Sequence, residues 1–480
     1  MKKMNLLVMS LVSAAALSFS SCSSNDDLTG GAGNQSKVEG FYMTLAVQTP
    51  TSNGTRTQQQ DPNKVDATEA ESKVTSGTFY LVNNKGVIVF TKNITEEEWT
   101  NAAPVLTTAG KTQIQVPVQN VTEGETYKVY FLANTTDNKP WESIYPAPDG
   151  STGFAGAYAT DNKFAMFNQN DKSSKADEYT VTFAKENKEI TDPAKVNKTI
   201  KLDRITARID KPTSDATTIN GELAADASDL QKKAVADAKD KVKSINLTNY
   251  AITNLSNMTN IMQKWNATWD ALQIPTGITY IQKEEGLGDQ YRINNANWFA
   301  NAEKNYVFEN TEATPTKMYF EYTVALDETK FTDTPDCKDG TFYRYNGNIY
   351  RSIGAIYTAY ADQTILFGGK TADELKAELK INAEGKIGAT EDELATFRKD
   401  NVIEVFVAGK TYYSQVITDQ WLETNTIQRN TVYKLNVKNI FNVGADVPNG
   451  EPTENKPMYY LEVEVSVNPW VLSTQDVELK

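Results

Sequence analysis

The stretch Phe79-Tyr80-Leu81-Val82-Asn83-Asn84-Lys85-Gly86-Val87-Ile88-Val89-Phe90 decides the fold class. Two four-residue runs of aromatic and aliphatic side chains flank a polar turn that closes on glycine, which is the pattern of a β-hairpin. Outward from it the same punctuation continues. Ile114, Val116 and Val118 alternate with polar neighbours, residues 127–133 form a further strand, and residues 199–210 alternate again. A second series begins near Val242 and includes residues 318–325, a hairpin over 341–352 around Asn346-Gly347 and another over 402–417 around Ala408-Gly409. Serial short strands that do not alternate with helices predict an all-β protein of packed sandwiches rather than a βαβ fold. Three helices are expected: a charged surface helix over 229–241, and two inserts opened by the capping boxes Thr371/Glu374 and Thr390/Glu393.

Composition narrows the function. The 480 residues imply two or three folded units, and 39% hydrophobic residues with 10% aromatics is a globular composition. A formal charge of −14 argues against nucleic acid, whose binding depends on neutralising phosphates. Histidine is absent, which removes the commonest general base and metal ligand and every Ser/His/Asp or Cys/His constellation. No enzyme chemistry, cofactor or metal is expected. Gly368-Gly369-Lys370-Thr371 has Thr364 where a phosphate loop needs glycine, so it reads as a turn and helix cap. Asp333, Asp336 and Asp339 are spaced by three, unlike the alternate ligands of a calcium loop, and read as a turn. Trp265, Trp269 and Trp298 could stack on sugars, but tryptophan in a sandwich more often belongs to the core.

The N-terminus reads as an export signal, with Lys2 and Lys3 ahead of an apolar stretch over residues 6–19 that is short for a bilayer span. Leu17-Ser18-Phe19-Ser20-Ser21-Cys22 resembles a lipobox, with Cys22 as the acylated residue. Acylation there leaves Cys337 without a disulfide partner. A Ser-, Gly- and Asn-rich tether follows, and then residues 41–47 alternate, with Phe41, Met43, Leu45 and Val47 on one face. Residues 49–72 read as a long polar linker that contains Arg56, the only arginine before Arg204.

At the other end Leu461, Val463, Val465, Val467, Val471, Val477 and Leu479 share one parity. At about 3.3 Å per residue this tail could extend roughly 65 Å. Periodicity leaves two readings open: a pair of ordinary strands closing the last sandwich, or a strand that seeks its partner in another chain.

Several segments together resemble the fimbrillin family, the type V pilins of anaerobic Gram-negative bacteria, in its minor-fimbria major-subunit (Mfa-type) branch. They are the lipobox, residues 127–134, residues 202–209, residues 429–437 and residues 463–479 with Pro469-Trp470. The resemblance implies two transthyretin-like Greek-key β-sandwiches, with a lipoprotein signal over 1–22 and a propeptide over 23–56 that carries a releasable first strand. Residues 57–210 would form the N-terminal sandwich with an acceptor groove, 211–457 the C-terminal sandwich and 458–480 a donor tail. It further implies palmitoylation at Cys22, cleavage by an arginine-specific protease between Arg56 and Thr57, and release of the strand bearing Phe41, Met43, Leu45 and Val47. The groove would be refilled by Val471, Val477 and Leu479 of the next subunit. The implied partners are identical subunits joined head to tail, anchor and tip subunits, the protease, and the outer membrane through the lipid on the precursor. The implied product is a fimbrial shaft supporting adhesion; the alternatives are a tip or accessory subunit, or a surface glycan-binding lipoprotein.

Overall fold

A half-buried strand hides every second side chain. Strand β1 (Phe41–Gln48) does so along its whole length: Phe41, Met43, Leu45 and Val47 are buried and the residues between them half-buried. The computed structural model describes residues 40–50, 65–104, 111–146, 154–287, 289–294, 298–299, 302–363, 365–419, 421–449 and 461–472, the last segment by its backbone. They are mostly strands in sheets, with few helices.

After β1 come β2 (Val65–Ala67), α1 (Glu69–Ser72), β3 (Gly77–Val82), β4 (Ile88–Ile94), α2 (Glu96–Thr100), β5 (Ala103–Pro104) and β6 (Lys111–Val118). Then follow β7 (Thr126–Ala133), β8 (Ile144–Pro146), β9 (Met166–Asn168), β10 (Thr180–Thr182), β11 (Ala194–Lys195) and β12 (Ile200–Arg204). All but β2 and β8 belong to one sheet, ordered β4-β3-β7-β9-β12-β1-β6-β5, with β10 beside β7 and β11 beside β1. Phe79, Leu81, Val129 and Phe131 share an apolar cluster with the inward residues of β1 and with Val116 and Val118 of β6. The other faces of β3 and β7 send Tyr80, Val82, Tyr130 and Leu132 into a second cluster with Tyr145 and Ile261. Burial on both faces explains why these strands read as near-continuous apolar runs.

The remainder holds β13 (Ala207–Asp210), β14 (Thr213–Ser214), α3 (Asp229–Lys241) and β15 (Val242–Thr253). Five short strands follow, β16 (Leu255–Ser256), β17 (Met258–Asn260), β18 (Lys264–Trp265), β19 (Leu272–Gln273) and β20 (Tyr280–Ile281). Next are β21 (Lys304–Val307), β22 (Lys317–Leu326), β23 (Phe342–Tyr345), β24 (Asn348–Tyr350), α4 (Ile353–Ala359), α5 (Ala372–Glu378) and α6 (Glu391–Asn401). The series ends with β25 (Glu404–Phe406), β26 (Lys410–Val416), β27 (Thr431–Ile440) and β28 (Leu461–Leu472). One sheet runs β2-β28-β27-β13-β21 with β14 on β27; β15-β22-β26 and β24-β23-β25 are separate. Ile209, Tyr433, Leu435, Ile252, Phe320 and Tyr413 are among the residues of the core they share. The three helices expected from sequence form where expected, each with a reciprocal capping box, at Ser228/Gln231, Thr371/Glu374 and Thr390/Glu393.

Three sequence expectations need correction. Residues 199–210 are two strands, because the inward parity changes from even at Ile200 and Leu202 to odd at Ala207 and Ile209, and β12 and β13 serve different sheets. Residues 402–417 do not form a hairpin, since β25 pairs with β23 and β26 with β22. Ala408 and Gly409 have φ of 53° and 71°, much like Asn346 and Gly347 in the true hairpin at 47° and 74°. What differs is tertiary: the Ala408 amide donates to Thr341 Oγ1, and a Cβ on Gly409 would lie 2.5 Å from the Val324 carbonyl oxygen. Third, residues 65–72 are not linker. They form β2 and α1, the latter capped by Thr68 and Glu71.

The motif-like residues serve the fold. Asp333 bonds Arg351 and Ser352, Asp336 accepts from the Ile353 amide, and Asp339 accepts from Thr341. Thr371 caps α5 after the Gly368-Gly369 turn. The Trp265 indole donates to the Asn170 carbonyl, Trp269 lies under Lys175, and Trp298 packs against Ala251 and Tyr319. Cys337 is a buried free thiol, pushed up to about 11 by burial and by the charge of Asp339.

Candidate functional site

Strand β1 lies inside a sheet, and its two edges are unequal. Along β6 it makes eight consecutive antiparallel register pairs, from Phe41↔Val118 to Gln48↔Lys111. Its other edge is parallel and interrupted: Met43 and Thr44 pair with β11, and Val47 and Gln48 with the start of β12. Burying its four apolar side chains contributes roughly 1.5–3 kcal/mol each. Ordering eight residues costs roughly 1–2 kcal/mol each. The two terms nearly offset, so β1 is held by its pairing and by covalent continuity, and its removal would open a slot lined by the cluster around Phe79, Phe131 and Val116.

Past the undescribed residues 51–64 the chain is pinned to the body again. Glu71 is fully buried in helix α1, and its Oε1 accepts from Lys304 Nζ (2.7 Å), Tyr306 OH (2.8 Å) and Arg208 Nη1 (3.1 Å). Its Oε2 accepts from the Thr68 amide at 2.8 Å. Burial pushes the carboxyl upward, but these hydrogen bonds and the Arg208 charge outweigh it and hold Glu71 at about 2. Arg204, also fully buried, donates to the Glu71 carbonyl (2.7 Å), to Ser72 Oγ (2.7 Å) and to Asn430 Oδ1 (2.8 Å). Asn430 in turn donates to Asp203 and, through its amide, to the Thr206 carbonyl. Segments 202–209 and 429–437, distant in sequence, therefore meet here and clamp the chain that follows the linker. Sequence reading missed Glu71 because residues 49–72 look polar throughout; the signal was the spacing Thr68-x-x-Glu71.

Strand β28 lies beside this clamp. From Leu461↔Ile440 to Pro469↔Thr431 it runs antiparallel to β27, and Trp470, Val471 and Leu472 then pair in parallel with Val65, Asp66 and Ala67 of β2. The described part of the C-terminal alternation is thus a strand of its own chain's sheet. Val471 stands opposite Asp66. Phe41, Met43, Leu45 and Val47 come together in one cluster. Cys22, Arg56, Thr57, Val477 and Leu479 lie outside the described residues.

A family model described as major fimbrial subunit protein (FimA) matches residues 42–204, and one described as major fimbrial subunit protein type IV, fimbrillin, C-terminal, matches residues 404–476. No curated protein matches the chain. Among solved structures, a fimbrilin from Porphyromonas gingivalis is 13% identical with a TM-score of 0.43, over 90% of this chain and 98% of that one. A fimbrial assembly protein from Parabacteroides distasonis is 11% identical with a TM-score of 0.36, over 89% of this chain and 99% of that one. The tip fimbrial protein Mfa3 from Porphyromonas gingivalis, truncated at its C-terminus, is 13% identical with a TM-score of 0.34, over 90% of this chain and 100% of that one. The matched segments begin in β1 and end just beyond β28, the two strands on which the site is built, and the chain belongs to the fimbrillin family of fimbrial subunit proteins.

Proposed function

We propose that this chain is the shaft subunit of an Mfa-type fimbria, exported as an outer-membrane lipoprotein acylated at Cys22 and activated by a cut after Arg56. Each folded unit is read as a transthyretin-like Greek-key sandwich, the first over 57–210 and the second over 211–457, with β2 and β13 of the first range pairing into the sheet of the second. The cut frees residues 41–56, β1 leaves, and the C-terminal donor of a neighbouring subunit takes its place through Val471, Val477 and Leu479, Val471 first giving up its own-chain pairing with Asp66 of β2. Main-chain pairing along β6 would supply affinity, and alternate side chains entering the slot would supply register. Such a head-to-tail contact does not close on itself and builds a fibre.

The observation that carries this reading is the placement of β1: a buried, alternating strand separated by a linker from a chain pinned again at Glu71. A cut within that linker removes one strand and leaves the rest attached. N-terminal sequencing of fimbriae sheared from cells will find Thr57 as the first residue. Arg56→Ala will leave an unpolymerised precursor that keeps β1, and filaments with an intact N-terminus from that variant refute strand release. The lipid has its own test. The precursor will incorporate labelled palmitate, Cys22→Ala will abolish the label and fimbria formation, and undiminished label in the variant removes the lipoprotein assignment.

A further inference from the structure

Resting on the strand-exchange reading above, we propose that residues 184–197 form a flap that lifts to let a strand leave or enter the β1 slot, then closes over the strand that fills it. Phe183, fully buried, sits at one end of this segment, with its ring 5.4 Å from that of Phe41 and 6.0 Å from that of Tyr127. At the other end Asn197 is fixed to the body: its amide donates to the Thr180 carbonyl, its Oδ1 accepts from the Thr180 amide, and its Nδ2 donates to the Glu178 carbonyl. Between these ends Ala194 is the one buried residue.

The segment nevertheless spans the slot beside residues 41–44. Gln115 Nε2, on β6, donates to the Ile190 carbonyl, and Lys188 Nζ lies 5.3 Å from the centre of the Phe41 ring. β11 then supplies the parallel pairs Met43↔Ala194 and Thr44↔Lys195. Among the described residues, lifting it breaks two register pairs, one side-chain hydrogen bond and one cation–π contact, and bares an alanine with a half-buried Val196 beside it. The opposite wall is different in kind, because separating β6 from β1 breaks eight pairs and uncovers Val116 and Val118. Opening therefore proceeds on the flap side, while β6 remains as the template along which an incoming strand pairs.

The test joins flap to template in the full chain cut after Arg56. Gln115→Cys and Ile190→Cys are bridged by a short bis-methanethiosulfonate reagent, which forms a reducible disulfide with each thiol and releases methanesulfinate; the remaining native cysteine, Cys337, is 2% exposed and will not compete. Binding of a fluorescent peptide of residues 461–480 is then followed in time. The unbridged variant, which lacks the Gln115 hydrogen bond to the flap, is expected to take up peptide at least as fast as wild type, and the bridged one at least tenfold more slowly than the unbridged. Reduction of the bridge should restore the rate, which separates a closed flap from a misfolded chain. Equal rates with and without the bridge overturn the flap. Failure of cut wild-type protein to take up peptide at all overturns strand exchange itself, and the flap with it.

Discussion

A chain lacking residues 473–480 will be exported, folded and cut, and will not polymerise. The described part of β28 already has its partners at home, residues 461–469 on β27 and residues 470–472 on β2. Ending the chain at Leu472 leaves those pairings untouched, so secretion and stability should follow the full-length protein. What is lost is the segment with Val477 and Leu479, two of the three residues assigned to the next subunit's slot. Val477→Asp should act nearly as strongly, because placing an unpaired carboxylate in an apolar slot costs several kcal/mol, whereas an aliphatic side chain there contributes roughly 1.5–3 kcal/mol. Glu478, on the other parity, should tolerate replacement by glutamine. Electron microscopy and size-exclusion chromatography of cut protein give the readout. Filaments formed without residues 473–480 would place the donor elsewhere.

The second large effect is on stability. Glu71→Ala should lower the unfolding free energy of the uncut chain by roughly 3–5 kcal/mol, the usual cost of removing one partner from a buried ion pair. The substitution strips an acceptor from Lys304, Tyr306, Arg208 and the Thr68 amide at once, and takes a buried carboxylate partner from the Arg208 guanidinium, itself 5% exposed. Its pH signature is specific. The folded carboxyl is held at about 2 against an ordinary 4.5, so its contribution is complete above pH ~4.5 and is lost as pH falls toward about 2. Denaturant unfolding at a series of pH values should show the wild-type advantage over Glu71→Ala narrowing across that window and level above it. A difference of less than 1 kcal/mol at pH 7 would mean that the clamp does not hold the chain after the linker.

Both effects depend on a junction that the linear sequence hides. Arg204 and Arg208 lie two and six residues beyond Leu202 on an alternating run, and nothing in that run says the guanidinium groups will be buried. Their partners include Glu71 and Ser72 of α1 and Asn430 just ahead of β27, and Glu71 itself also accepts from Thr68 and from Lys304 and Tyr306 of β21. Periodicity reports which face a residue takes, not which strand lies opposite.

What the sequence by itself determined is local. Alternation placed β1 with its four inward residues, the Asn83–Gly86 turn placed β3 beside β4, Asn346-Gly347 placed the β23–β24 hairpin, and capping boxes placed α5 and α6. These features follow from side-chain period, turn conformation and orphan helix amides, all satisfied within a few residues. Only the tertiary structure decided that residues 199–210 split between two sheets, that Ala408-Gly409 is a corner and not a hairpin, and that Glu71 is a buried clamp. It also decided that β28 pairs with β27 and β2 of its own chain. Each of these is a choice among partners far apart in sequence, and what settles it is which long-range pairing buries charge with its counter-charge and closes the backbone hydrogen bonds, a quantity that no window along the chain contains.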